Sequence, residues 1–474
     1  MHRLSVVLVY ALLLSASPLR AAGPVYVALW FDTEDYITPA SDDAALRIAT
    51  DLTRLGVDAT FKVVGEKARM LELRGRKDVL RALSKHSIGY HSNYHSVHPT
   101  PSEYLRYFGL LEGADEFQRR EQPGALDIRR VFGTPPSCYG QPGSSWGPQS
   151  NLALRRMRIP VYLDEGSQVG LDGQPFWYGG LLYVFNMGEQ TFRARLDVGA
   201  EDPDAYAKFD KVAAKLRSQN GGLISIYYHP NEFVNTEFWD AVNFSRGANP
   251  PREEWKLPPA RTKEDAERCY RVLHKFVEHM KSSPDVRFVT PKDFLLMYKR
   301  PAPGPVNRRT IAEHLRSRIT FLTAGDESLS PADMLLQLLG IEPHVVDGPT
   351  ARAATTLRAQ TIARTTLQTA AQDAADFIRR NHRLPNQVFI GAETLSLPDF
   401  TATLAAAVMS SSDAIPVTPG RLEFEKYFAT DPAKSFDWVI HPQGFSAPEI
   451  LELGKLQGWT LKPARLIAAG KKGR

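Results

Sequence analysis

Four of the twelve histidines in this 474-residue sequence fall within residues 86–99, HSIGYHSNYHSVHP. His91 and His95 are four apart, a spacing that sets two imidazoles on one side of a helical turn or of a tight loop. Imidazole is a ligand for Zn, Fe, Co or Ni. A carboxylate brought in from another strand end would complete a set of two histidines and one acid, the three-ligand arrangement that leaves room for a reacting group. The carboxylates on offer stand in Asp32-Thr33-Glu34-Asp35, with Asp35 favoured as ligand and Glu34 as the alternative. Asp32 is then placed to act as a base toward water. His98 reads as a bystander or substrate contact, and His86 as structural.

These groups need elements to bring them together. Residues 25–31, VYVALWF, read as a buried strand that ends abruptly in the acidic cluster. Residues 42–55 follow with helical spacing of Ala45, Ile48, Ala49 and Leu52. Residues 59–64 and 87–90 read as strands, with helical stretches at 67–73 and 78–84 between them. The alternation continues through 161–163, 205–217, 223–228, 266–281 and 286–290. That is the pattern of parallel βα units. The acidic cluster, the histidine cluster and His229 each follow an apolar strand. In a βα barrel the C-terminal strand ends share one face, so these distant segments can converge.

Composition sets wider limits. A hydrophobic content of 43% and a charged content of 23% suit a globular protein. The net charge of +5 is mild and no basic run is dense, which argues against a nucleic-acid partner. Residues 1–22 read as a signal peptide: a positive start, an apolar run over 4–14, then small residues. The run is shorter than the ~20 residues needed to span a bilayer. The expected location is therefore secreted or periplasmic, in the cell envelope, with no stable membrane insertion after cleavage. Export permits a disulfide between the two cysteines, Cys138 and Cys269, though the sequence does not set their distance. Residues 301–305, PAPGP, read as a Pro-rich linker between residues 24–300 and a smaller, mainly helical region at 306–474. Within that region Ser328-Leu329-Ser330-Pro331-Ala332-Asp333-Met334 parallels Thr394-Leu395-Ser396-Leu397-Pro398-Asp399-Phe400, a weak internal repeat.

The motifs resemble those of the polysaccharide deacetylases with NodB homology, carbohydrate esterase family 4. Phe31-Asp32-Thr33-Glu34-Asp35 is similar to the longer form of the family's acidic motif, and His86-Ser87-Ile88-Gly89-Tyr90-His91-Ser92-Asn93-Tyr94-His95 to its metal-binding histidine pair. Tyr139-Gly140-Gln141-Pro142-Gly143-Ser144-Ser145-Trp146 resembles its third motif, with Gln141 where the family has an arginine that pairs with the catalytic aspartate. Asp164 stands where another family aspartate follows a strand, and Ile224–Pro230 looks like the last motif, a strand ending in a histidine. The resemblance covers about 24–300. It implies a distorted (β/α) barrel, a divalent metal (Zn, with Co or Ni as alternatives), Asp32 as base, His91 and His95 as ligands, and His229 as acid to the leaving nitrogen. Gln141, Pro142, Gly143, Trp146 and Asp164 would line the substrate groove. Trp177, Trp239 and Trp255 are further aromatic candidates for stacking on sugar rings.

Residues 377–388 and 395–404 are similar to the pseudomurein-binding repeat, which implies a glycan-binding role for the C-terminal region. The expected activity is metal-dependent removal of N-acetyl groups from a polysaccharide or cell-wall glycan. Two alternatives stand beside it. One is a catalytically impaired glycan-binding protein, motivated by Gln141. The other is a hydrolase of a different non-peptide amide.

Overall fold

Val25–Thr33 forms the first strand, β1, and eight of its nine residues are buried. Aromatic and β-branched side chains fill both of its faces, as a parallel strand covered on both sides requires. The computed structural model describes residues 23–299 and 301–467, so the expected export signal at 1–22 lies outside the described residues. Around β1 stand β2 (Thr60–Val63), β3 (Ser87–Tyr90), β4 (Val161–Leu163), β5 (Phe176–Tyr178), β6 (Leu181–Val184), β7 (Gly222–Tyr228) and β8 (Val286–Phe288). β1 pairs in parallel with β2, β7 and β8, and β2 with β3. Tyr139 extends the parallel row by bridging Tyr90 to Tyr162 of β4, and β4 pairs in parallel with β6. On the far side of β7, Thr191 bridges Ser225. The chain is thus an α/β fold with helices between parallel strands. No ladder among the described residues joins β6 to the Thr191 segment; β6 instead takes antiparallel β5 as its next neighbour.

Local sequence explains the helix that follows the acidic cluster. The helix Pro39–Leu55 begins with proline, which suits the first helical turn, and stops at Gly56 in the left-handed conformation. The expected start at residue 42 is three residues late because Pro39 and Ala40 already belong to the first turn.

After residue 305 the chain builds the same unit twice. The helix Arg308–Ser317 leads into the hairpin β9 (Leu322–Ala324) and β10 (Glu327–Leu329), then the helix Pro331–Leu338. Further on, β11 (Thr361–Ala363) opens the helix Arg364–Asn381, which leads into the hairpin β12 (Gln387–Ile390) and β13 (Glu393–Ser396), then the helix Leu397–Met409. β14 (Ala414–Pro416) then pairs antiparallel with β11. The parallel stretches seen in the sequence are the two hairpin-to-helix junctions. At each, a serine side chain accepts the backbone N–H three residues on, Ser330 from Asp333 and Ser396 from Asp399. This is N-capping, and the Ser-x-x-Asp spacing encodes it.

The Pro-rich segment does not hold two independent halves apart. Gly304 N–H donates to Glu327, and Lys299 forms an ion pair with the same glutamate. The last strand, β15 (Lys462–Pro463), pairs antiparallel with β5 in the first region's sheet. Tyr178 of β5 donates to the Gly454 carbonyl, and Trp146 packs where a Cβ on Gly454 would stand. One continuous apolar core runs from β1 to the helices beyond residue 305. No helix among the described residues is long and apolar enough to cross a membrane. Cys138 and Cys269 are both buried and free, so the disulfide that export would permit is not formed.

Candidate metal and proton-transfer site

The acidic cluster begins at the end of β1. Asp32 lies near the end of the strand and Glu34 one residue past it, and both carboxylates reach His91, at 3.5 Å and 3.6 Å. Asp35 does local work instead. Its Oδ1 accepts the backbone N–H groups of Ile37 and Thr38, each at 3.0 Å, and so holds the entry to the helix Pro39–Leu55. The structure thus brings Glu34, and not the expected Asp35, to the histidines.

His91 and His95 lie on a tight loop after β3, with Ser92 and His95 at positive φ (66° and 57°). Such backbone is sparsely populated for residues other than glycine and persists where its surroundings fix it. Here the His95 N–H donates to Ser92 Oγ at 3.0 Å, and the two rings stand 4.9 Å apart. His95 Nε2 is 3.0 Å and His91 Nε2 3.6 Å from Glu34 Oε2. One ligand atom from each of Glu34, His91 and His95 lies within 4.8 Å of the others, and all three residues are buried.

The histidines are set up for ligation. His91 Nδ1 is 3.1 Å from the Gly140 carbonyl, and a carbonyl can only accept, so this nitrogen carries the proton. The Nε2 lone pair then faces Glu34. His95 Nδ1 is held by Ser96 Oγ at 2.6 Å, which in turn reaches Asp240 at 3.5 Å. A second partner of this kind fixes the ring and tautomer of a metal-ligating histidine. His95 Nε2 is buried and turned to Glu34 Oε2. Two imidazoles and a carboxylate converging on one point fit a divalent ion such as Zn, with Co or Ni served by the same donors.

Two further groups flank this triad. Asp32 Oδ2 is 3.7 Å from His229 Nε2, and Asp32 Oδ1 is 3.5 Å from His91 Nδ1. His229 follows β7 and is partly open to solvent, with 15% of its side chain exposed. Its Nδ1 meets Glu232 at 2.7 Å, and Glu232 is also paired with Arg193. Burial would depress the imidazole, but the hydrogen bond and charge of Glu232, with Glu34 and Asp32 beyond, carry it up to about 9. His229 is therefore a cation at neutral pH, ready to release a proton.

Sequence reasoning missed Lys62. It lies in the middle of β2, directly across the ladder from Asp32, and is fully buried. Its ammonium is 2.9 Å from Asp32 Oδ1 and 2.5 Å from Asp164 Oδ2. Burial works against its charge, yet Asp164 and Asp32 hold its proton more firmly than in an ordinary lysine. A lysine inside ATFKVV was the available signal, because a charge in a strand buried on both faces needs a charged partner. Gln141 is engaged elsewhere: it accepts from Tyr162 and donates to the Gly143 carbonyl. Asp32 thus has a cation although residue 141 is neutral.

The expected groove residues divide. Gln141, Pro142 and Asp164 are buried behind the site, and Asp164 serves Lys62 rather than a ligand. Trp146 has no exposed surface, being packed on Tyr178, so it offers no face to a sugar. Trp239 is equally buried, against Tyr36 and Trp255. Trp177 is buried too, its indole N–H on the Lys299 carbonyl. Trp255 is partly exposed, with its ring against Phe244. Two tryptophan rings stand beside His95: Trp239, at 6.0 Å, and Trp438, which no motif marked. Trp438 meets His95 edge-on at 5.2 Å and lies against Gly143, which is exposed and has a φ of +48°. The Trp438 backbone N–H donates to Ser144, and Gln168 donates to the Ser435 carbonyl, which pins this returning segment to the third motif.

No protein-family model matches this sequence, and a search of curated proteins returns no relative. Solved structures show distant likenesses. A family 4 carbohydrate esterase from Streptomyces lividans shares 12% identity over 57% of this chain and 96% of its own, with a TM-score of 0.29. A family 4 pseudoenzyme from Bacillus anthracis shares 12% over 57% and 65%, with a TM-score of 0.29. The α-amylase AmyC from Thermotoga maritima shares 9% over 58% and 75%, with a TM-score of 0.39. Scores this low carry no argument about chemistry, which rests on the side chains.

Proposed function

We propose that this protein is a metal-dependent hydrolase of carbon–nitrogen amide bonds, and that its substrate is an N-acetylated polysaccharide or cell-wall glycan. The observation that carries the reading is the buried convergence of Glu34, His91 and His95 with Asp32 and His229 beside them. Glu34, His91 and His95 would hold the ion. A divalent ion supplies Lewis acidity toward an amide carbonyl and toward water.

The chain's own residues account for the proton movements. Asp32, oriented by Lys62, accepts a proton from the attacking water. His229, charged through Glu232, donates a proton to the departing nitrogen, which would otherwise be a poor leaving group. Acetate and a free amine are the products. The choice of a glycan is supported by the motif resemblance, by the expected export signal and by the resemblance of the C-terminal region to a wall-binding repeat.

The test is metal content of the protein and of a His91→Ala/His95→Ala variant, with acetate release from N-acetylglucosamine oligomers in the same samples. About one ion per chain, lost in the variant together with acetate release, is expected. An ion without acetate release points to a different amide. No ion in either protein overturns the enzyme reading.

A further inference from the structure

A cleft of about 230 Å³ opens beside the groups that hold His229. Glu232 and Arg193 line it, and so does Phe238, whose ring meets the His229 ring edge-on at 4.9 Å. Its polar lining is incomplete. Asn231 and Asn235 are buried, yet neither end of the Asn231 amide, nor Asn235 Oδ1, has a hydrogen-bond partner among the described residues. Buried amides are normally satisfied, by protein or by something bound. Both residues border the cleft, which is where the missing partners can come from.

The charges around the cleft indicate the kind of ligand. Arg193 is matched by Glu232, and Arg195 by Asp202 and Asp204. Arg261 donates its Nε to the Glu232 backbone carbonyl at 2.7 Å and has no carboxylate in ion-pair reach among the described residues. Three guanidinium groups on the cleft thus stand with three carboxylates, Asp197, Glu232 and Glu237, and the lining carries no net charge. An ionic ligand would meet as much repulsion as attraction. A hydroxyl both donates and accepts, so it suits guanidinium N–H groups, carboxylates and amides together. Phe238 adds an apolar wall for the C–H edge of a ring.

We infer that the cleft is a subsite for a neutral sugar unit, the neighbour of the unit whose amide is hydrolysed. The inference deepens the proposed hydrolase reading: its kinetic part rests on that reading, and its binding part does not.

The test uses the full chain loaded with zinc. Thr236 is exposed on the cleft, so Thr236→Trp fills the opening from outside the core, and Arg261→Gln removes the guanidinium that lacks a carboxylate. Dissociation constants of N-acetylglucosamine and of its tetramer are measured by calorimetry, with kcat/KM for acetate release from both. In wild type the tetramer should bind at least about tenfold more tightly than the single sugar, the scale of one hydrogen bond to a charged group. Thr236→Trp should lose most of that advantage and Arg261→Gln part of it, with a matching fall in the tetramer-to-monomer ratio of kcat/KM. No tetramer preference in wild type, or the same preference in wild type and Thr236→Trp, would overturn the inference. Glucose and glucuronate are competed against the tetramer in parallel. Competition by glucuronate alone, lost in Arg261→Gln, would refute a neutral ligand. Should Thr236→Trp not fold, Arg261→Gln decides by the same ratio. Tetramer binding that Thr236→Trp weakens, without acetate release, removes the proposed function alone; acetate release with an unchanged chain-length preference removes this inference alone.

Discussion

Glu232→Gln isolates the charge that makes His229 an acid. The glutamine keeps an acceptor near His229 Nδ1, where the carboxylate now stands at 2.7 Å, but it takes away the negative charge. The rise of the imidazole from its ordinary 6.5 to about 9 corresponds to roughly 3 kcal/mol favouring the charged ring. Burial opposes that rise, and in the variant Arg193 loses its partner and adds repulsion. The ring should therefore fall to its ordinary value or below. Because the native value is raised, His229 stabilises the fold fully below about 6.5, and that contribution is lost as the pH rises through about 9. In acetate-release assays from pH 5.5 to 10, wild-type kcat/KM should decline only near pH 9. The variant should decline near neutrality, leaving it roughly 50–100-fold below wild type at pH 8.5 and within a few-fold at pH 6, as follows from tenfold per pH unit. An alkaline limb that stays near 9 in Glu232→Gln would refute this account of His229.

Three further outcomes are expected. Glu34→Ala should abolish zinc retention on gel filtration, whereas Asp35→Ala should retain zinc and lose about 1 kcal/mol of stability in denaturant melts, the scale of a helix-start cap. Gly143→Ala would drive a methyl into the Trp438 ring and should cost about 1–3 kcal/mol by thermal unfolding, the range for overpacking. A chain ended after Pro305 should lack a cooperative unfolding transition, since it loses β15 and the partners of Trp146 and Tyr178.

Much of the site was legible because parallel βα units put strand ends on one face: Asp32, His91, His95 and His229 do meet. The choice between Glu34 and Asp35 was not legible, since both lie past the end of the strand, where side-chain alternation no longer applies. Lys62 was legible only as an anomaly, because its partner Asp164 lies 102 residues away. Trp438 was not legible at all. Nothing local distinguishes it from any other surface tryptophan, and its place depends on how the last hundred or so residues pack. The C-terminal repeat was visible only as two similar stretches, which the structure shows to be Ser-x-x-Asp caps, while the hairpins before each cap were too short to show a strand period.

The return of Trp438 to His95 bears on when the protein comes of age during synthesis. Roughly 340 residues separate the two rings. At ~5–20 residues per second, the loop that carries the histidines waits tens of seconds for its cover. Until then Gly143 has no ring beside it, the Ser144 hydroxyl lacks the Trp438 N–H, Gln168 keeps the Ser144 carbonyl but lacks that of Ser435, and β5 has an unpaired edge. Synthesis through residue 463, rather than of the first 300 residues, is what sets Trp438 against His95 and pairs the edge of β5.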